Sequence, residues 1–146
     1  ISHLSQENFI VDKESIFYNI TLKQKKLANQ ADMNNFDKVI KISNLNEFIR
    51  KQPLKEDTIL NEGASNISGG ERQRICIARS LFADNKLIIM DEPFSSIDKQ
   101  NSDEIFRQIL KDSANKTLII SNHKKIEVKH FDKVIFFGKD KIVNIK

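Results

Sequence analysis

The sequence has a single cysteine, Cys76, and no long apolar run. One thiol cannot form a disulfide within the chain, which excludes the disulfide-stapled class of secreted domains and indicates a reducing compartment. The longest apolar stretches have about four residues, whereas a membrane-spanning helix needs roughly 20. We therefore expect no part of this chain to cross a bilayer. The chain opens on Ile1 rather than Met, and we expect it to be a piece of a longer protein.

Strong charge of one sign is also lacking. The formal net charge is only +4, and no lysine cluster is interleaved with aromatic residues, so we expect no nucleic-acid partner. Hydrophobic residues make up 39% and charged residues 30% of the chain, proportions that suit a globular protein. A length of 146 residues is enough for one domain with a real hydrophobic core.

Three zones differ in character along the chain. Residues 1–20 predict a short strand and a loop that contains Gln6. Residues 21–66 are polar and rich in lysine, with apolar residues at helical spacing, and predict two or three short helices that form a helical subdomain. Residues 67–146 predict alternating helices and strands, which favours an α/β fold with a mainly parallel sheet.

The elements expected in this last zone are two helices, two strands and a terminal hairpin. They are a helix over Gly69–Ala83, a strand over Lys86–Asp91 buried on both faces, a helix over Ser96–Lys111, a strand over Lys116–Ser121, and a hairpin of Asp132–Phe137 and Lys141–Ile145 joined at Gly138.

Two adjacent carboxylates, Asp91 and Glu92, end the first of these apolar strands. Parallel α/β sheets gather their ligands at the C-terminal ends of the strands. An acid in that position can hold Mg²⁺, because this hard ion prefers oxygen ligands, and a neighbouring acid can activate a water for attack on a γ-phosphate. A solvated acidic pair is the simpler interpretation, but the four apolar residues before the pair and Pro93 after it favour the functional one.

Ser68, Gly69 and Gly70 precede a predicted helix, and His123 ends the next apolar strand. Two glycines let backbone N–H groups approach an anion closely, and a helix N-terminus carries about half a positive charge. An imidazole at a strand end can hydrogen-bond a γ-phosphate or hold an attacking water or its base. A plain helix cap and a polar boundary residue are the simpler alternatives.

Four motifs in fixed order carry a family resemblance: Ile67–Arg74, Leu87–Pro93, Ser95–Asp98 and Leu118–His123. They resemble the signature, Walker B, D-loop and H-loop of an ATP-binding cassette (ABC) nucleotide-binding domain. The resemblance implies a partial P-loop NTPase (RecA-like) core with a helical subdomain. It also implies that the parent protein is an ATPase that couples ATP hydrolysis to transport.

The resemblance assigns roles residue by residue. Glu92 and His123 would be catalytic, and Asp91 with Gln6, which resembles the Q-loop glutamine, would hold Mg²⁺. The residues expected to contact nucleotide are Gln6, Ser68, Gly69, Gly70, Glu71 and Asp98. Glu71 stands where the family most often has glutamine, and Asp98 would lie across a dimer interface.

The resemblance also implies partners and a location. The signature faces the nucleotide held by a second nucleotide-binding domain, so a head-to-tail dimer is expected. Thr58–Ala64 resembles the segment of ABC exporters in which an acid, here Glu62, contacts the membrane domain. We therefore expect a transmembrane partner, an exporter, and a position at the cytoplasmic face of the cell membrane.

The phosphate-binding sequence G-x-x-x-x-G-K-[ST] is absent from these residues. We therefore expect this piece alone to bind ATP more weakly than about 1 mM and to hydrolyse none, as a folded module that is not itself an enzyme. For the parent, a DNA-repair type ABC ATPase is disfavoured because no coiled-coil heptads lie between Gln6 and Ser68. A soluble translation-type ABC protein remains an alternative.

Overall fold

The computed structural model describes residues 1–123, 128–137 and 142–145. In chain order the strands and helices are β1 (Ser2–Leu4), α1 (Ile16–Thr21), α2 (Gln30–Ile42), α3 (Asn46–Lys51), α4 (Gly69–Phe82), β2 (Leu87–Asp91), α5 (Lys99–Asp112), β3 (Thr117–Ser121), β4 (Ile135–Phe137) and β5 (Ile142–Ile145). Short 3₁₀ turns span Lys25–Leu27, Lys55–Asp57, Glu62–Ala64 and Val128–His130.

A parallel sheet with the order β1-β2-β3 forms the centre of the fold. Leu4 of β1 lies opposite Met90 of β2, and Asp91 of β2 lies opposite Ser121 of β3. The predicted α/β fold with a parallel sheet is thereby confirmed. β4 and β5 pair antiparallel, as the predicted hairpin requires, while the expected turn at Gly138 lies outside the described residues.

The burial of β2 differs from the prediction that both of its faces would be covered. Ile88 and Met90 are completely buried, but Leu87 and Ile89 are only half-buried. Successive side chains of a strand point to opposite faces of the sheet. Within the described chain one face of β2 is therefore fully covered and the other only partly.

Among the described residues, a hydrophobic cluster joins the helices to the sheet. Its fully buried members include residues of the helices, of the sheet and of the turn between α2 and α3. Among them are Phe17, Leu45, Ile77, Ile88 and Ile105. Burying each such side chain stabilises the fold by about 1.5–3 kcal/mol. The helices between residues 21 and 66 thus share one core with the sheet. The boundaries of the three zones described from the sequence stay a prediction.

The start of α5 was predicted too early. The helix begins at Lys99, not at Ser96, because the Asp98 backbone is extended (φ −62°, ψ 159°) and its side chain caps the helix by accepting from the N–H of Asn101. In the described part of the chain no helix is both long and apolar enough to span a membrane.

Candidate functional site

The sheet places several predicted site residues at one edge. β1, β2 and β3 are parallel neighbours, so their C-terminal ends lie side by side. Gln6 follows the end of β1, Asp91 and Glu92 lie at the end of β2, and His123 follows β3. Gln6 is exposed to solvent.

Glu92 and His123 are in direct contact. Nε2 of His123 lies 2.8 Å from Oε1 of Glu92. The Glu92 side chain is only 17% exposed, whereas that of His123 is 91% exposed. A mostly buried carboxylate is therefore in contact with an imidazole that solvent can reach.

The backbone of Glu92 is strained and held at both ends. Its φ of +45° lies in the left-handed region, which costs a non-glycine residue roughly 1–2 kcal/mol. Its N–H donates to the carbonyl of Ser121 over 3.1 Å, and its carbonyl accepts from the N–H of Ser95 over 3.2 Å and from Nε2 of Gln73 over 2.9 Å. These bonds hold the chain in a conformation that it would otherwise leave.

Asp91 contributes the second carboxylate. It is half-buried and accepts a hydrogen bond from the hydroxyl of Ser121 on the neighbouring strand. Mg²⁺ usually keeps several waters and takes one or two protein carboxylates together with phosphate oxygens. The Asp91 carboxylate and the Gln6 amide oxygen are ligands of the type that Mg²⁺ prefers and follow or end neighbouring strands, although the described residues contain no cluster of three His, Cys, Asp or Glu side chains around a metal position.

The N-terminus of α4 has a capping box. Ser68 is the N-cap; its hydroxyl accepts from the N–H of Glu71 over 3.2 Å. The Glu71 carboxylate in turn accepts from the backbone N–H of Ser68 over 2.7 Å and from its hydroxyl over 2.8 Å. The positive end of this 14-residue helix therefore already carries a bound carboxylate.

The glycines of this first turn let a loop approach the helix. A Cβ on Gly70 would lie 3.2 Å from the carbonyl oxygen of Ser96, and one on Gly69 would lie 3.8 Å from the Ser96 Cβ. The loop that follows Glu92 thus packs against the start of α4. Gly70 is the position where only a hydrogen fits easily.

Asp98 is the N-cap of α5. Its carboxylate accepts from the N–H of Asn101 over 3.0 Å and from the Asn101 side-chain amide over 2.6 Å. These two bonds, the backbone one first, hold the pKa of Asp98 below its usual range. Asn101 also accepts from Nδ2 of Asn44 over 2.6 Å, which connects α5 to the end of α2. The predicted role of Asp98 at a dimer interface stays a prediction.

Sequence reasoning gave no role to two residues of α4. Gln73 is 1% exposed and reaches the loop after Glu92, as described above. Arg79 donates to the carbonyl oxygen of Phe9 over 2.8 Å and, with two of its nitrogens, to Asn19. Burial lowers the pKa of Arg79. For Gln73 a signal was available, because it lies one helical turn before the buried Ile77 and hence on the buried face of α4.

Comparison with known proteins identifies the family. Residues 1–95 match the sequence profile of the family described as ABC transporter. The chain belongs to the ABC transporter family. The resemblance that its motifs carry is thereby confirmed.

Curated relatives of this ABC transporter chain include transport proteins. It is 34% identical over 139 residues to a lacticin-481/lactococcin-DR transport/processing ATP-binding protein of Lactococcus lactis, with 94% of this chain and 20% of that protein covered. It is 32% identical over 136 residues to P-glycoprotein 14 of Caenorhabditis elegans, with 92% of this chain and 10% of that protein covered. The chain therefore spans about a tenth to a fifth of the length of these relatives.

A solved structure supports the fold. A bacterial Atm1-family ABC exporter with ATP bound superimposes with a TM-score of 0.83 over 99% of this chain and 24% of that chain, at 23% sequence identity. At this level of identity the likeness establishes the architecture of the chain.

Proposed function

We propose that this chain is part of the ATP-hydrolysing domain of an ABC exporter, which couples ATP hydrolysis to substrate transport across a membrane. The observation that carries the proposal is the contact of 2.8 Å between Glu92 and His123, beside Asp91 at the ends of neighbouring parallel strands. The family match and the transport proteins among the relatives support the same function.

In this proposal the carboxylates have different roles. Asp91 and Gln6 would hold Mg²⁺, which neutralises phosphate charge when bound. Glu92 accepts the proton of the attacking water, since its carboxylate is an acceptor on a mostly buried side chain. His123 holds that carboxylate in place through Nε2 and faces solvent; when both ring nitrogens carry a proton, Nδ1 can also donate to a γ-phosphate.

The exposed start of α4 supports a dimer. Ser68 and Gly69 are exposed at the positive end of a long helix, which suits binding of an anion from outside the chain. We propose that Ser68, Gly69, Gly70 and Glu71 face ATP held by a second nucleotide-binding domain in a head-to-tail dimer, with Asp98 at the interface.

The transmembrane partner would be contacted from a second surface. The segment around Glu62 is exposed. Both backbone polar groups of the next residue, Gly63, are hydrogen-bonded: its N–H donates to Asp12 over 2.8 Å, and its carbonyl accepts from Arg72 of α4. A contact made at Glu62 would therefore reach the first turn of α4. This arrangement places the domain at the cytoplasmic face of the membrane in our proposal.

The test uses the full-length protein and the variant Glu92→Gln. Loss of the base should reduce ATP hydrolysis by about 10²–10⁴-fold, while ATP becomes trapped and stays with the protein through rapid gel filtration. Adding Ser68→Glu to Glu92→Gln should abolish this retention, because a second carboxylate at the helix start repels phosphate. Glu104→Gln, which removes an exposed acid from α5, is the matched control. Near-normal turnover of Glu92→Gln would show that Glu92 is not the base.

A further inference from the structure

Gln73 makes three hydrogen bonds to the segment that begins at Glu92. Its Nε2 donates to the carbonyl of Glu92 over 2.9 Å and to the hydroxyl of Ser95 over 3.0 Å. Its Oε1 accepts from the backbone N–H of Ser96 over 2.7 Å. Both ends of the buried side-chain amide are therefore used on a loop that lies 19 to 23 residues further along the chain.

We propose that Gln73 is a positioning residue that fixes the backbone of Glu92 and of the following loop, and so aims the Glu92 carboxylate for catalysis. The inference rests on the proposed function of Glu92 and goes beyond it. Gln73 itself touches neither the attacking water nor the nucleotide in this scheme.

The strain at Glu92 explains why such a residue is needed. A left-handed φ persists only where surrounding bonds hold it, and the carbonyl of Glu92 accepts one of those bonds from Gln73. Without that donor, only the 3.2 Å bond from the N–H of Ser95 holds the carbonyl of Glu92, so the peptide after Glu92 can rotate and the side chain can shift away from His123. A displacement of about 1 Å at a reacting group can cost roughly 100-fold in rate.

The chemistry of the contacts selects glutamine. Around the Gln73 amide, the Glu92 carbonyl and the Ser95 hydroxyl are hydrogen-bond acceptors, and the backbone N–H of Ser96 is a donor. Glutamate would keep the acceptor but would set a carboxylate oxygen against the Glu92 carbonyl. Methionine fills a similar volume and offers neither strong group.

The test compares Gln73→Met and Gln73→Glu in the full-length protein, with Ser80→Ala as the control. Ser80 is also a buried polar residue of α4, but its hydroxyl donates to Ile77 within the same helix. We expect Gln73→Met to lower kcat at least about 10-fold with KM for ATP changed less than about twofold. Gln73→Glu should lower kcat at least as much, because it keeps the acceptor for Ser96 but sets a repelling carboxylate oxygen against the Glu92 carbonyl. Ser80→Ala should leave both constants near normal.

A double-mutant cycle separates positioning from a structural role. If Gln73 acts through the Glu92 carboxylate, Gln73→Met should have less than about a twofold effect on the residual hydrolysis of Glu92→Gln, because the effects of coupled residues do not add. Nucleotide retention by Glu92→Gln should survive the addition of Gln73→Met, which shows that the protein is folded and binds ATP.

Several results would overturn the inference. One is an unchanged kcat in Gln73→Met. Another is a decrease in hydrolysis by Gln73→Met that is equally large with and without the Glu92 carboxylate. The third is loss of folded protein in both Gln73 variants, which would show a purely structural residue. Full turnover in Glu92→Gln alone would instead refute the proposed role of Glu92, so the two failures are distinguishable.

Discussion

Glu71 puts a negative charge where the proposed function needs a phosphate. Its carboxylate accepts from the N–H and the hydroxyl of Ser68 at the exposed start of α4. The family resemblance implies glutamine as the commoner residue there. We therefore expect Glu71→Gln to strengthen the ATP-dependent dimer.

The expected gain follows from Coulomb's law. A phosphate oxygen that took the Ser68 hydroxyl hydrogen from Glu71 would still lie about 5 Å from the Glu71 carboxylate, because that carboxylate stays bonded to the N–H of Ser68 and each hydrogen bond spans about 2.8 Å. Two unit charges at about 5 Å repel by about 0.8 kcal/mol in water and by about 3 kcal/mol at an effective dielectric constant of 20. Glu71 is partly exposed, so solvent screening favours the lower part of that range, about 1 kcal/mol or fivefold in affinity. Glutamine keeps the capping box, because its side-chain oxygen can still accept from the N–H of Ser68.

The assay is nucleotide retention by the full-length protein in the Glu92→Gln background, measured over a range of ATP concentrations. Glu71→Gln should lower the ATP concentration for half-maximal retention about fivefold, and the difference should shrink as salt is raised, because screening weakens repulsion between exposed charges. Glu104→Gln, an exposed acid on α5, controls for net charge alone. Unchanged or weaker retention in Glu71→Gln would refute the electrostatic argument, and so would a gain that salt does not diminish.

Two further predictions concern stability. Burial acts to raise the pKa of Asp112, but hydrogen bonds from Lys38 and Lys116 outweigh it and hold the pKa below its usual range. The stabilisation should therefore be present above the unfolded-state pKa of about 3.9 and disappear as pH falls through the lower folded-state value. Asp112→Asn should lower the free energy of unfolding by about 1–2 kcal/mol at pH 7 and weaken its fall at acidic pH, as measured by urea unfolding at several pH values. An unchanged fall at acidic pH would contradict this. Gly69→Ala should be neutral or stabilising by up to about 1 kcal/mol in thermal unfolding, whereas Gly70→Ala should be the less stable of the pair because its Cβ meets the following loop at 3.2 Å; equal stability would show that the loop yields freely.

Much of the site could be predicted from the sequence because its signals are local. An apolar run followed by acids predicts the end of β2, and Ser68 before two glycines predicts the start of α4; both predictions agree with the structure. The parallel arrangement then places Asp91 and the residues after β3 at one edge. Local patterns were sufficient wherever a residue's position depends on its own strand or helix.

The misplaced start of α5 has a long-range cause. Ser95 and Ser96 follow Glu92 in a stretch that local propensity allows to be helical, but their hydroxyl and backbone N–H are bonded to Gln73 on α4. Those bonds hold the loop in a non-helical path until Asp98 caps the helix. A partner about 20 residues earlier in the chain leaves no mark on the local pattern.

The roles of Gln73 and Arg79 show what α4 does in the fold. Ser68 lies at the exposed start of the helix. In the middle of the helix, Gln73 donates to the loop that begins at Glu92, and near its end Arg79 donates to Phe9, in the segment after Gln6. The side chains of Gln73 and Arg79 are buried or half-buried, and their polar groups would be costly to leave without a hydrogen bond. Packed interiors resist continuous deformation, so a displacement of the start of α4 should be passed to the Glu92 and Gln6 loops rather than absorbed within the helix. The position of the turn that we propose to face phosphate and the position of the proposed base are thus set by one rigid element.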